Sequence, residues 1–557
     1  MLRIIELTLP VEHAPEALKP AIENRLRLPN GALLGYTVIK RSHDARRKFA
    51  GLNFVYTVDC ELRDEATVLA EFNADHNVRP APDMRYRPVA SAPADFINRP
   101  LVIGFGPCGI FAALTLAQMG FRPIVLERGK AVRARTQDTW GLWRKRLLNP
   151  ESNVQFGEGG AGLFSDGKLY SQVKDPKHHG RKVLQEFVKA GAPDEILYVS
   201  KPHIGTFRLT GVVTRMREEI EALGGEVRFQ QQVTDVLIDA GSMRGVVLNN
   251  GETLMANHVI LALGHSARDS FRMLHARGIQ MEAKPFSIGL RIEHPQPLIN
   301  QARLGRYAGH PQLGAADYKL VHHASNGRSV YSFCMCPGGT VVAATSEPYR
   351  VATNGMSQYS RNEHNANAGI VVGISPADYP CDVEAGPLAG IALQEQLEAQ
   401  AYVLGGSNYN APVQLVGDFI AGRPSTVLGG VEPSYQPGVR LTDLSTALPA
   451  YAITAIREAL PVFDERIKGF SRPDAVLTGV ETRTSSPLRI TRDAHYQSLN
   501  TRGLYPAGEG AGYAGGIMSA GIDGIRVAEA LALNLLAAAK QVGGQSFQLQ
   551  ADPLRNA

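Results

Sequence analysis

The run Pro100-Leu-Val-Ile-Gly-Phe-Gly-Pro-Cys-Gly109 constrains the fold of this chain more than any other stretch. Leu101–Ile103 reads as a short buried strand, and Ile110–Gly120 continues as an apolar helix. Between them stands Gly104-x-Gly106-x-x-Gly109. The first glycine permits the tight turn, the second lets backbone N–H groups approach a pyrophosphate, and the third lets helix and strand pack closely. A phosphate in that turn sits at the positive end of the helix. A second strand, Pro123-Ile-Val-Leu-Glu127, ends in an acid at the spacing where a ribose 2′-OH is gripped. That acid argues against a 2′-phosphate, and Pro107, Cys108 and Arg128 are expected beside the same ligand.

The rest of the chain separates FAD from NAD. Glu226 to Gly264 reads as a β-meander (Val227–Gln231, Val233–Ile238, Gly245–Leu248, Thr253–Met255) with a return strand, Val259–Gly264. Asn249-Asn-Gly251 is its hairpin signal. Near the end come Gly503-Leu-Tyr-Pro-Ala-Gly508-Glu509-Gly510, then Gly515-Gly516 and a helix from Ile517 to about Ala538. This is like the second flavin-contact motif, with Glu509 where an acid meets the ribitol chain. Two such motifs bracketing a separate domain point to FAD. The expected cofactor-binding set adds Gly159, Gly160, Gly162, Val233 and Gly264.

The fold class that follows is α/β: a Rossmann-type FAD-binding domain, an inserted mixed α+β substrate domain, and a small N-terminal βαββα unit of ferredoxin-like type. The expected division is 1–78 for the small unit, 79–97 for a Pro-rich linker, 98–274 and 481–540 for the two parts of the FAD domain, 275–480 for the insert and 541–557 for a polar tail. Apolar residues make up 44% and charged ones 20%, which excludes a disordered chain. Leu101–Phe121 carries no charge, but its glycines and Pro107 interrupt it, so a buried strand, turn and helix are expected rather than a membrane span. Five scattered cysteines suit a reducing cytoplasm, and Met1-Leu-Arg-Ile-Ile-Glu6 lacks a secretory pattern. The net charge of +5 is mild and does not demand an acidic partner.

On these residues the chain resembles a family of bacterial FAD-dependent dehydrogenases, also labelled NAD(FAD)-utilising dehydrogenases. The matching stretches are Lys40-Arg-Ser-His-Asp-Ala-Arg-Arg-Lys48, Phe156–Leu169, Ala262–Asp269, Gly289–Pro295, Phe333–Gly339, Gly479–Arg489 and the 508–524 region. The resemblance spans nearly the whole chain and implies a flavin fold with an appended N-terminal domain. It implies a dehydrogenase and supplies no substrate.

Four residues are candidates for the chemistry. Lys168, in the glycine-rich loop 156–169, either stabilises negative charge on reduced flavin or a substrate oxyanion, or is an ordinary surface lysine. Cys334 and Cys336 stand two apart in a strand-like run, so alternation points both thiols to one face. They either pack inside a sheet or line the substrate pocket as a reactive pair. The CxxxxC pair of flavin disulfide reductases is absent. His265 precedes Arg268 and Asp269 at a strand end, where a His–Asp pair serves acid–base chemistry or merely closes a loop. Arg291, Arg483 and Arg489 either face the pocket, to receive a carboxylate or phosphate, or form structural ion pairs. The pairs His178-His179 and His322-His323 lack zinc-ligand spacing, so no metal is expected.

No second strand–GxGxxG–helix unit occurs, so NAD(P)H, if used, visits the flavin transiently. A flavin hydroxylase is the alternative within the class. An RNA-associated flavoprotein is the alternative outside it, suggested by the basic run 40–48, which otherwise reads as a solvated hairpin. No aromatic stacking run interleaves those charges.

Overall fold

The computed structural model describes residues 1–44, 51–380 and 386–543. The tip of the basic run (45–48), Cys381 and the tail from 544 lie outside them.

The parallel sheet at the centre is assembled from both ends of the chain. Its order is Leu504–Pro506, Val259–Leu261, Leu101–Ile103, Ile124–Glu127, Glu226–Phe229, every neighbour parallel. Strands buried on both faces must be apolar throughout, and Leu101–Ile103 and Val259–Leu261 are. Glu226–Phe229, expected in the meander, is the outer strand of this sheet instead. Its partner Ile124–Glu127 lies far back in sequence, and local periodicity cannot report a parallel partner. The true meander is Val233–Asp239, Ser242–Leu248 and Thr253–Met255. The fingerprint helix, Pro107–Gln118, begins inside the glycine turn, because proline suits the first helical position. The last helix, Ile517–Gly543, crosses it so closely that a Cβ on Gly524 would stand 2.3 Å from the Cys108 carbonyl oxygen.

Between the two halves rises a seven-stranded sheet. Its order is Val321–His323, Ser329–Cys336, Asn365–Ile374, Phe286–Pro295, Val476–Glu481, Ala411–Leu415, Val439–Leu441, antiparallel except for the last pair. Phe286–Ile292 is buried without a break, so this central strand also is covered on both faces. The expected boundary at 274 falls inside the helix Arg268–Ala276, and that at 480 inside Val476–Glu481.

The N-terminal unit is a four-stranded antiparallel sheet, Leu33–Asp44, Asn53–Leu62, Leu2–Pro10, Val78–Pro80, with helices Leu18–Arg25 and Glu65–Glu71. The short strand Val78–Pro80 was not expected, and it carries the unit two residues past its predicted end. The unit docks by its outer strand: Arg41 N–H donates to Tyr198 O (2.6 Å) and Ser200 N–H donates to Arg41 O (2.9 Å). Among the described residues no helix is long and apolar enough to cross a membrane.

Candidate functional site

A single cleft of about 1250 Å³ runs from the glycine turn, along the ends of the parallel strands, to the face of the seven-stranded sheet. That volume exceeds the roughly 300–1,000 Å³ of ordinary small-molecule pockets, and a crevice at the carboxyl ends of parallel strands is where such folds bind ligands.

At one end the glycine turn is shaped by contacts that leave no room for side chains. Gly104 has φ +98°, and a Cβ on it would meet Ala262 O at 2.4 Å; one on Gly109 would meet Gly104 O at 1.9 Å. Gly106 differs, since its Cβ would find only Gly160 Cα, at an ordinary 3.6 Å. The space beside Gly106 is therefore open on the cleft side. The first turn of the helix Pro107–Gln118 faces it, with amide groups that have no acceptor within the helix. This arrangement fits a diphosphate.

Glu127 is buried and tied into the backbone. Its Oε2 accepts from Phe105 N (2.8 Å), and its Oε1 from Gly129 N (2.8 Å) and Gly157 N (2.9 Å). A carboxylate offers about four acceptor sites, so one remains for the sugar hydroxyl the sequence assigned to it. The larger part of its work is structural: it joins three loops around the ligand space. We expect Glu127→Gln, which replaces one acceptor oxygen by a donor, to lose about 1.5–3 kcal/mol. Thermal denaturation of ligand-free protein checks this, because the three donors belong to the chain.

Arg128 lines the cleft with its charge already engaged, by Glu151 (2.8 and 2.9 Å) and Asp269 (2.9 and 3.0 Å), over the Phe156 ring. Gly160, Gly162, Val233, Gly264, Glu509, Gly515, Gly516, Ile517, Pro107 and Cys108 also line it. Four expected ligand glycines do not. Gly109 packs on Gly104; Gly159 faces Leu163; Gly508 fits against Cys108 and Gly510 against Gly264, drawing the two halves of the domain together.

The expected His265–Asp269 pair does not form, since Asp269 is taken by Arg128. His265 Nδ1 lies 3.0 Å from Glu509 Oε1 instead, joining the end of the return strand to the C-terminal glycine-rich loop. Arg291 does not face a ligand: it is fully buried and held by both oxygens of Glu481 (2.8 and 3.0 Å). Arg489 pairs with Glu282 at 3.1 Å. Arg483 does line the cleft, but its guanidinium is committed to Glu398, Ser266 and Ser346.

Lys168 is no surface lysine. Its ammonium donates to Met335 O and lies 3.5 Å from Asp166. Burial pulls its pKa down, but Cys336, Cys334 and Asp166 outweigh that and hold it above the usual lysine range. Cys334 opens on the cleft, while Cys336 is fully buried. The hydrogen bond from Cys336, then Lys168 and Arg291, draw the Cys334 thiol below its ordinary value against the opposing effect of burial. The same bond, with burial, pushes Cys336 up.

Two further groups of residues shape the cleft outside the expected site set. Arg135, fully buried, donates to the carbonyls of Asn153, Val154, Gly157 and Glu158 and so moulds the glycine-rich loop from beneath. Lys40, Ser42 and His43 reach the cleft from the N-terminal unit, together with Lys201 and Asp317, which pair at 2.7 Å. The basic run was the one sequence signal for them. Among the described residues no cluster of His, Cys, Asp or Glu is grouped to hold a metal ion.

Residues 285–484 match the family described as FAD-dependent protein, C-terminal domain-like, and residues 1–61 match a domain of unknown function. An uncharacterised protein of Clostridium beijerinckii is 46% identical over 95% of this chain and 98% of its own. Similar solved structures include a 3-ketosteroid-Δ4-(5α)-dehydrogenase of Rhodococcus jostii (13% identity, 80% of this chain and 100% of that one, TM-score 0.35). They include also amadoriase I of Aspergillus fumigatus (12%, 79% and 88%, TM-score 0.36) and glycine oxidase of Bacillus cereus (12%, 79% and 96%, TM-score 0.30). Likeness at that level assigns no reaction.

Proposed function

The chain belongs to one family with the Clostridium beijerinckii protein, and from that footing we propose that it is an FAD-dependent oxidoreductase acting on a small organic substrate. One observation carries the reading. Two motifs some 400 residues apart, the turn at 104–109 and the loop at 508–517, line one cleft beside a helix N-terminus. The match of 285–484 to an FAD-dependent protein domain supports it.

Bound in the cleft, FAD would supply hydride and electron transfer. The chain's own residues do the rest. The turn and the Pro107–Gln118 helix hold the diphosphate, and Glu127 with Val233 borders the adenosine end. Glu509, with His265 on its outer oxygen, receives the sugar-alcohol arm. Lys168 keeps a positive charge where an oxyanion or an anionic ring would form, and Asp166 with Arg361 fixes the lysine from behind. The seven-stranded sheet is the substrate-covering domain, and the β-α-β-β-α-β order of the first 80 residues supports a ferredoxin-like assignment for the N-terminal unit. With a single dinucleotide fingerprint in the sequence, NAD(P)H, where it is the reductant, has no Rossmann domain of its own and visits the flavin transiently.

The purified protein is expected to be yellow, and to bleach anaerobically with NAD(P)H or with an organic substrate. Direct bleaching by the organic compound identifies a dehydrogenase. Oxygen consumption that requires both NAD(P)H and an organic compound identifies a hydroxylase. A colourless protein that refuses added FAD would falsify the reading.

A further inference from the structure

The strand Ser329–Cys336 pairs regularly with Asn365–Ile374 from Val330 to Phe333, then slips register before Cys336 meets Asn367. Within the slip Cys334 takes φ +43°, a conformation that non-glycine residues rarely adopt. A regular strand would have sent both thiols to one face. The bulge turns Cys334 toward the cleft and leaves Cys336 beneath it.

The bulge is clamped at two successive carbonyls. Cys334 O accepts from Arg291 Nη1 (3.3 Å) and from the Cys336 thiol (3.3 Å), and Met335 O accepts from the Lys168 ammonium. Arg291 is itself fixed by Glu481, and Asn367 Oδ1 accepts from it at 2.7 Å. Across the gap stands Gly355, where a Cβ would lie 2.8 Å from Cys336 Sγ and 2.2 Å from Arg291 Nη1. A strained, fully braced loop thus places one thiol in the cleft, a second beside it out of solvent, and two cations against the pair. Electropositive, partly accessible surroundings are those in which a thiolate becomes a nucleophile.

We propose that Cys334 and Cys336, seated on this bulge between Lys168 and Arg291, form a dithiol that reduces small disulfides entering the cleft. The Cys334 thiolate attacks one sulfur of R–S–S–R′; the Cys334–S–R bond forms as S–S breaks, and R′–S⁻ leaves with the electron pair. Cys336 then gives up its proton and attacks Cys334 Sγ, closing Cys334–Cys336 and expelling R–S⁻. In sum two thiols lose two electrons and two protons, and one disulfide gains them as two thiols. Lys168 and Arg291 stabilise the thiolate at each stage. The proposal stands on the chain's own side chains and does not rest on the flavin reading.

Trypsin releases both cysteines, and no others, in one peptide, Ser329–Arg350. The full-length protein, treated briefly at neutral pH with Ellman's reagent and then digested, is expected to yield this peptide two hydrogens lighter and free of adduct. In Cys336→Ser the same peptide retains one thionitrobenzoate on Cys334. In Cys334→Ser it stays unmodified over the same interval. The peptides of Cys60, whose thiol burial pushes up to about 12, and of buried Cys108 serve as internal clocks. Reaction at Cys334 is expected to be on the order of 100-fold faster than at either. A stable adduct on the wild-type peptide would overturn the resolving role of Cys336. Labelling no faster than at Cys60 would overturn the proposal altogether.

Discussion

Gly106→Ala is expected to fold as the wild type does and to emerge without bound flavin. Among the described residues the added methyl meets nothing closer than Gly160 Cα at 3.6 Å, and Gly106 has an ordinary φ of −79°, so the free protein has no reason to object. Whatever it obstructs must come from outside. A methyl pressed on a diphosphate that cannot retreat costs on the order of 3 kcal/mol, roughly a 100-fold loss of affinity. Gly109→Ala separates this from mere damage. Its methyl would lie 1.9 Å from Gly104 O, so the helix start must shift even in the ligand-free protein. Titration with FAD, beside thermal melts of the ligand-free variants, reads both effects. A Gly106→Ala protein that binds FAD as tightly as wild type would mean that no diphosphate sits there.

The second large effect is expected at Glu398. This carboxylate is fully buried and takes hydrogen bonds from Arg268 (2.7 and 3.1 Å), Arg483 (2.9 and 3.1 Å) and Thr482 (2.8 Å). Arg268 keeps a second acid, Glu347 at 2.6 Å, whereas among the described residues Arg483 has only Ser266 and Ser346 besides. Removing the charge by Glu398→Gln leaves a buried guanidinium without its counter-ion, and breaking such a pair costs about 3–5 kcal/mol. Against the burial that would raise it, Arg268 and Arg483 hold the Glu398 pKa well below the usual carboxylate range. Its contribution is therefore complete above the unfolded glutamate value of about 4.3 and is lost as pH falls below it. The stability gap between wild type and Glu398→Gln, measured by denaturant unfolding, should be level from neutrality to about pH 5 and narrow below that. A gap that widened in acid would contradict the assignment.

The central layer was legible in sequence because its signals are local. A strand, a glycine turn and a helix are contiguous in 101–118, and the acid that ends Ile124–Glu127 follows soon after. What escaped detection depended on partners remote in sequence. Glu226–Phe229 looks like the first arm of a meander until its parallel neighbour is known. His265 has no local reason to prefer Glu509 over Asp269, and it was the claim of Arg128 on Asp269 that settled the matter. Glu127 was recognised as a ligand acid, but its three backbone donors come from loops that no spacing rule connects. The Cys334–Cys336 pair defeated the two-residue period because that period assumes an unbroken ladder, and here the ladder slips. Gly508 and Gly510 stand in a loop whose pattern points at a ligand, though their freedom from side chains serves the seam between the domain halves.

The outer strand of the N-terminal unit, hydrogen-bonded to residues 198–200 and presenting Lys40, Ser42 and His43 inward, has a practical consequence. A shortened chain that starts at the proline-rich connector would lack one doorpost of its own cleft. Relatives could differ in what this cleft admits by altering their first eighty residues while the glycine turn and the C-terminal loop stay the same.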